Sequence, residues 1–307
     1  MIDIWIPITI FAALFQSWRT ALQQRLRGRM SVNAVGFVRY VYAVPVGLVL
    51  FWVLHSISGT AMPVPNLRFL ADCIIGGFLQ IIGTSLLIMA FGFRNFAVGT
   101  AYAKTEAVQG AIMAWIILGE ALSPIALVGI GIGVVGVLTL SLGGRGLKAN
   151  ELLRATFQPA ALCGLGTGLC FAFTAIFIKD GNRALGDIGG GDLGIITKAV
   201  FALVVTNVLQ TLMQGLWIMW REPPQLRLAF TTWRSSMWVG ALSACGSAAW
   251  FSAFALAPVA LVRALGQIEM VFTLGFSRFY LQEKLRGADI LGLVLVVGGV
   301  GLVLLGR

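Results

Sequence analysis

Ala101-Tyr102-Ala103-Lys104-Thr105-Glu106-Ala107-Val108-Gln109-Gly110 and Ala264-Leu265-Gly266-Gln267-Ile268-Glu269-Met270-Val271-Phe272-Thr273 occupy the same place in two copies of one segment. The copies are residues 83–143 and 246–306, which align by a shift of 163 positions without a gap. Gly83 falls on Gly246, Ala90-Phe91 on Ala253-Phe254, Glu106 on Glu269, Glu120 on Glu283, Gly129 on Gly292 and Gly136 on Gly299. Each copy reads as three hydrophobic spans, the middle one carrying a glutamate. Self-similarity at a fixed offset marks an internally duplicated architecture. An acid at matching depth in each half of an apolar bundle predicts a transporter built from internal repeats.

The chain of 307 residues is 58% hydrophobic and 11% charged, whereas soluble domains carry about 25% charged residues. Apolar residues run from end to end, which predicts an all-α integral membrane protein. The net charge of +10 comes mostly from loop residues, so it reads as an orientation signal and not as a nucleic-acid surface. Met1-Ile2-Asp3-Ile4-Trp5 offers no basic leader region, and a retained first span is expected. Cys73, Cys163, Cys170 and Cys245 lie in apolar runs with no CxxC or Cys/His cluster, giving no support for disulfides, metal or cofactor.

About 20 apolar residues cross a bilayer as a helix. On that measure ten spans are predicted, at 4–23, 34–56, 69–92, 96–117, 122–142, 159–179, 192–219, 235–256, 258–280 and 287–305. Residues 221–234, with Leu226, Leu228, Phe230 and Trp233 among arginines, suit a short interfacial helix. The long connection from Gly143 to Pro159 divides the chain into two five-span repeats, 1–148 and 149–307. Five spans separate Glu106 from Glu269, an odd number, so the copies should cross the membrane in opposite directions. Thirteen basic residues, from Arg25 to Arg286, fall at one side, against Arg68, Lys179, Arg183 and Arg307 at the other. The asymmetry places both termini away from the cytoplasm, on the periplasmic side of a bacterial inner membrane.

The stretch from Ala90 to Leu142 resembles the EamA-type repeat of the drug/metabolite transporter superfamily through Arg94-Asn95-Phe96-Ala97, Thr105-Glu106, Leu118-Gly119-Glu120 and Gly129-x-x-x-Gly133-x-x-Gly136. The second copy supplies Ala257-Pro258-Val259-Ala260, Ile268-Glu269, Leu281-Gln282-Glu283 and Gly292 to Gly299, and Arg39 also fits the pattern. The resemblance covers essentially the whole chain and implies export of a small molecule. Two features depart from it. Ala107 and Met270 follow the glutamates where the family typically has proline, and many relatives place their termini in the cytoplasm.

Charged residues inside spans are costly and have a functional or pairing reason. Here they are Arg19, Arg39, Lys104, Glu106, Lys198, Arg263 and Glu269. Glu106 and Glu269 are either proton or ligand sites, or ion pairs clamping two helices. Lys104 and Glu106 point to nearly opposite faces of one helix and cannot pair with each other. Lys104 and Arg263 either bind a carboxylate or snorkel to a vestibule. Tyr102 shares the stripe of Glu106, and Gln267 is the counterpart of Lys104, so the two half-sites differ in charge. Gln16, Trp18, Gln80 and Trp250 complete a candidate polar and aromatic lining, each also readable as a packing contact. Arg39 and Lys198, entering spans 2 and 7, read alternatively as headgroup anchors. Glu120 and Glu283 read as caps of the following helices, and the glycines of spans 5 and 10 as smooth packing faces.

The loops hold no Walker A motif, so transport is driven by an ion gradient or is passive. The expected substrate is an amino acid or related zwitterion or carboxylate, because in-span cations outnumber acids. The rival reading is proton-coupled efflux of cationic aromatic compounds. A third is a lipid-handling membrane protein. Expected partners are the small-molecule substrate, the lipid bilayer and, as a candidate coupling ion, protons, with the chain a monomer or homodimer and no enzyme.

Overall fold

The structure is a computed structural model that describes residues 3–90, 93, 102–142, 158–280 and 287–306, and every regular element among them is an α-helix. The helices are α1 (Trp5–Arg27), α2 (Val32–Val41), α3 (Ala43–Ser58), α4 (Leu67–Ala90), α5 (Glu106–Leu118), α6 (Pro124–Leu142) and α7 (Pro159–Ala184). They continue as α8 (Gly191–Arg221), α9 (Pro223–Thr231), α10 (Trp233–Leu256), α11 (Val259–Gly266), α12 (Glu269–Tyr280) and α13 (Gly287–Leu305). Arg94-Asn95-Phe96-Ala97, Glu283 and most of the connection between the halves lie outside the described residues, as do the side chains of Thr273 and Arg278.

Local chemistry sets several boundaries. Pro124, Pro159 and Pro223 open α6, α7 and α9, where a missing N–H costs nothing. Ser31 caps α2 by accepting from Ala34 N at 3.2 Å. Pro45 has no N–H for the carbonyl of Val41, and the helix expected over 34–56 breaks there into α2 and α3. The expected interfacial segment contains α9, whose Leu226 and Leu228 pack inward while Phe230, and Trp233 at the start of α10, are half exposed.

Among the described residues, five stretches are long and apolar enough to cross a membrane: α2 with α3, α4, α7, α8 and α10. Three shorter apolar helices, at Glu106–Leu118, Pro124–Leu140 and Ile290–Leu305, fall within expected spans 4, 5 and 10. α1 is 23 residues long but polar, carrying Gln16, Arg19, Gln23 and Gln24. Expected span 9 is divided between α11 and α12. Trp52, Trp115, Ile116, Leu212, Trp220 and Val294 are each more than half exposed, an apolar surface of the kind that lipid covers.

The halves interlock. α4 packs along α7, and α1 along α10, so the first long helix of each half lies against the third span of the other. Duplicated glycines make room for this: a Cβ on Gly83 would lie 2.9 Å from the ring of Phe171, and one on Gly246 would lie 3.2 Å from Phe15. α6 and α13 form the most extensive pair. At Gly129, Gly136 and Gly299 an added Cβ would meet partner backbone at 2.6–2.7 Å, and at Gly292 it would meet Leu140 at 2.6 Å. Gly131, Gly298 and Gly301 have nothing within 4 Å, so only some of the glycines expected to pack do so. Gly299→Ala is therefore expected to cost about 1–3 kcal/mol by overpacking. Gly298→Ala should be neutral or stabilise by up to about 1 kcal/mol through helix propensity. Unfolding of the two variants in the same detergent measures the difference, and equal stabilities would mean the glycines do not set this contact.

Candidate functional site

Both duplicated glutamates begin a helix. Glu106 opens α5 directly after a turn at Lys104 and Thr105, and Glu269 opens α12 after a turn at Gln267 and Ile268. In the second half the turn closes with Gln267 N to Ala264 O (3.2 Å) and Ile268 N to Leu265 O (3.1 Å), the tight spacing common at helix ends. The helices expected to run unbroken through 96–117 and 258–280 are thus interrupted at the acids, although no proline follows. Two close approaches coincide with the breaks. A side chain at Gly266 would run into the ring of Trp250, and one at Gly168 on α7 would lie 3.1 Å from Ala103 O and 3.2 Å from Glu106 N. Each carboxylate consequently sits in the first turn of a helix, where unsatisfied N–H groups favour negative charge.

The acids are paired crosswise between the copies. Lys104 Nζ stands 2.5 Å from Glu269 Oε2, and Arg263 NH1 stands 3.2 Å from Glu106 Oε1. Gln16 Nε2 donates to the same Glu269 oxygen at 2.8 Å, and the Ser17 hydroxyl donates to the Glu269 carbonyl at 3.3 Å. Arg263 also donates to Phe171 O at 2.9 Å and lies over the rings of Trp250 and Phe254, 5.3 and 4.8 Å from their centroids. The same-helix pairing of Lys104 with Glu106, excluded from the sequence, does not occur.

Beside the pairs is a small cavity of about 30 Å³, lined chiefly by Gln16, Arg19, Arg39, Gln80, Trp250 and Arg263, with phenylalanines and hydroxyls completing the wall. That space suits one or two waters. Arg39, in the last turn of α2, is buried and not exposed as an anchor would be. Its Nε donates to Ser243 Oγ at 3.1 Å and its NH1 to Thr84 Oγ1 at 2.7 Å. Gln80 accepts from Gln210 Nε2 at 2.8 Å.

Three expected residues, Trp18, Tyr102 and Gln267, lie elsewhere, as does Lys198, an expected headgroup anchor. Trp18 is 52% exposed on the outside of α1 and does not line this cavity, because its neighbour Ser17 takes the inward-facing position. Tyr102 precedes the turn that leads into α5, its carbonyl accepting from Thr105 Oγ1 at 2.6 Å. Gln267 is buried against Gly133, and its amide atoms have no hydrogen-bond partner among the described residues. Lys198 donates to Gly186 O at 2.5 Å on the surface.

Sequence reasoning did not place Arg19, Ser247, Phe251 or Phe254 in the site, and all four face the cavity. Arg19 was visible as an in-span charge, but it has no duplicate and stands close to the basic run Arg25, Arg27 and Arg29. Glu120 does not cap the helix that follows it. Gly119, at φ 67°, ends α5 in a left-handed turn. Glu120 then accepts from Val259 N at 2.8 Å, capping α11, and stands 2.6 Å from Lys179 Nζ.

An exposed apolar exterior around a buried cluster of charges defines a multi-pass membrane protein with a polar centre. The sequence pattern of the EamA-like transporter family matches residues 3–142 and again 158–305, and the chain belongs to that family, within the drug/metabolite transporter superfamily. It is a membrane transporter of small molecules. A solved crystal structure, described only as that of a protein, shares the fold with a TM-score of 0.71 at 16% identity, over 99% of this chain and 97% of the other. No curated protein matches the chain.

Proposed function

We propose that this chain is a secondary-active or facilitative exporter of a small organic molecule bearing a carboxylate, working by alternating access. The reading comprises ten transmembrane helices in two inverted repeats, 1–148 and 149–307, in a bacterial inner membrane with periplasmic termini. The reciprocal packing of α1 on α10 and α4 on α7 supports the two-fold relation. One observation carries the substrate class: three guanidinium groups, of Arg19, Arg39 and Arg263, converge on one buried cavity. Planar, permanently charged guanidinium matches carboxylate oxygens in pairs. The rival reading, efflux of cations, needs accessible acids, and here both Glu106 and Glu269 are already held by cations.

The two crosswise ion pairs join α5 to α11 and the turn before α5 to α12, so they couple the halves. A carboxylate arriving at Arg263 competes with Glu106, and binding shifts the population of states only through such differential contacts. Purified protein in proteoliposomes loaded with a labelled organic acid should show counterflow. Arg263→Ala should reduce it at least about tenfold, the loss of one charge-assisted contact. Full flux by Arg263→Ala, or counterflow of quaternary amines instead of acids, would reject the substrate class.

A further inference from the structure

We infer that the ligand of the central cavity is a small dianion, whose two negative charges are received by Arg19 and Arg39. The inference rests on the reading of this cavity, widened beyond the one or two waters it admits here, as the site of an anionic substrate, and it sets the charge of that substrate. Its basis is a charge count among the described residues. Arg19, Arg39 and Arg263 line the cavity, and the two ion pairs beside it add Lys104, Glu106 and Glu269, making four cations and two acids. Lys104 is held by Glu269 and Arg263 by Glu106. Two cations are left over.

Both are deeply buried, Arg19 being 3% and Arg39 4% exposed. Neither can shed its charge, since guanidinium stays protonated in proteins. Within the described residues Arg39 donates only to the hydroxyls of Ser243 and Thr84 and lies over the Tyr40 ring, 5.4 Å from its centroid, and none of these contacts supplies a counter-charge. Arg19 donates no hydrogen bond within the described residues, and its Nε is buried without a partner. It shares the cavity with the like charge of Arg39, and the acid that partly offsets it is Glu269, already occupied by Lys104 and Gln16. The other polar groups of the wall, Gln80, Thr174 and Ser247, are neutral. Burial of charges without counter-charges is costly, so the site holds an excess of two positive charges awaiting a ligand.

A zwitterion would leave that excess untouched, and a monoanion would remove half of it. A dianion removes all of it. Dicarboxylates and phosphate monoesters share the required chemistry, two anionic oxygens in a plane that an arginine fork can grip. Trp250 and Phe251 offer the apolar wall for a short carbon body.

Binding is measured by calorimetry on the purified full chain in detergent, with succinate, glycerol 3-phosphate, butyrate and alanine as probes. At least one of the two dianions should bind about tenfold or more tightly than butyrate and alanine, a modest fraction of one unit charge at short range. The tighter of the two identifies the anionic group. Arg19→Gln removes one excess charge and should bring the dianion-to-butyrate ratio close to one, whereas Arg19→Lys, which keeps the charge, should retain most of the preference. Gel filtration and unfolding confirm that both variants fold. If Arg19→Gln does not fold, the ratio in wild type and in Arg19→Lys decides. Butyrate or alanine binding as tightly as the dianions would overturn the dianion while leaving a carboxylate transporter standing. No binding by any of the anions would overturn both readings.

Discussion

Glu106→Gln is expected to destabilise the folded protein by about 3–5 kcal/mol, the range for a buried charge stripped of its partner. Glu269→Gln should cost less, about 1–3 kcal/mol. The two acids are duplicates in sequence, so the difference arises from the bases that hold them. Glu106 is held by Arg263, whose side chain is 7% exposed and whose charge cannot be shed. Glu269 is held by Lys104, 17% exposed, and a flexible lysine stem can carry its ammonium toward water. The glutamine introduced at 269 would also still accept from Gln16, as the carboxylate does at 2.8 Å. The double variant Glu106→Gln/Arg263→Gln removes both charges and should recover part of the loss, because a missing pair costs less than a broken one. Unfolding titrations in mixed micelles, followed by tryptophan fluorescence, give all three values. Equal losses for the two acids, with no recovery in the double variant, would show that the crosswise pairing does not hold the halves together.

That asymmetry bears on what the sequence could disclose. The duplication was legible because an ungapped repeat needs no structure to be seen, and the cost of charge in a membrane drew attention to Glu106 and Glu269. Helix periodicity also excluded a Lys104–Glu106 pair. Which base would meet which acid was not legible. The partners stand 165 and 157 residues apart, and they meet only because each half's helices are threaded against the other's. The helix breaks at Thr105 and Ile268 were hidden for a related reason. No proline marks them, and the close approaches of Gly168 and of Trp250 at Gly266 belong to packing between elements. Arg19 was overlooked because repeat logic weights duplicated residues, while a cavity between two unlike halves is lined by residues that have no copy. Trp18 erred in the opposite sense: one position along α1 rotates a side chain by about 100°, enough to exchange the cavity for the lipid face.

Glu120 should give the second large effect, at a distance from the cavity. Its carboxylate is 10% exposed and joins three elements: the end of α5, Lys179 on α7, and the backbone N–H of Val259 at the start of α11. Lys179 is itself tied to Ala257 O at 2.6 Å, so the whole linker into α11 is fixed here. α11 is only eight residues long, and Arg263 lies on it. Loosening its first residue should therefore displace the guanidinium that binds Glu106 and faces the cavity. Glu120→Ala removes both charge and cap, with an expected loss of about 3–5 kcal/mol. Glu120→Gln keeps an acceptor for Val259, and Glu120→Gln/Lys179→Met also removes the stranded ammonium, so stability should rise along that series. Ligand affinity in the cavity should follow the same order, although none of these side chains lines it. A series in which stability varied while anion affinity and counterflow stayed at wild-type values would make Glu120 a clamp on the fold alone, with α11 held in place by its other contacts.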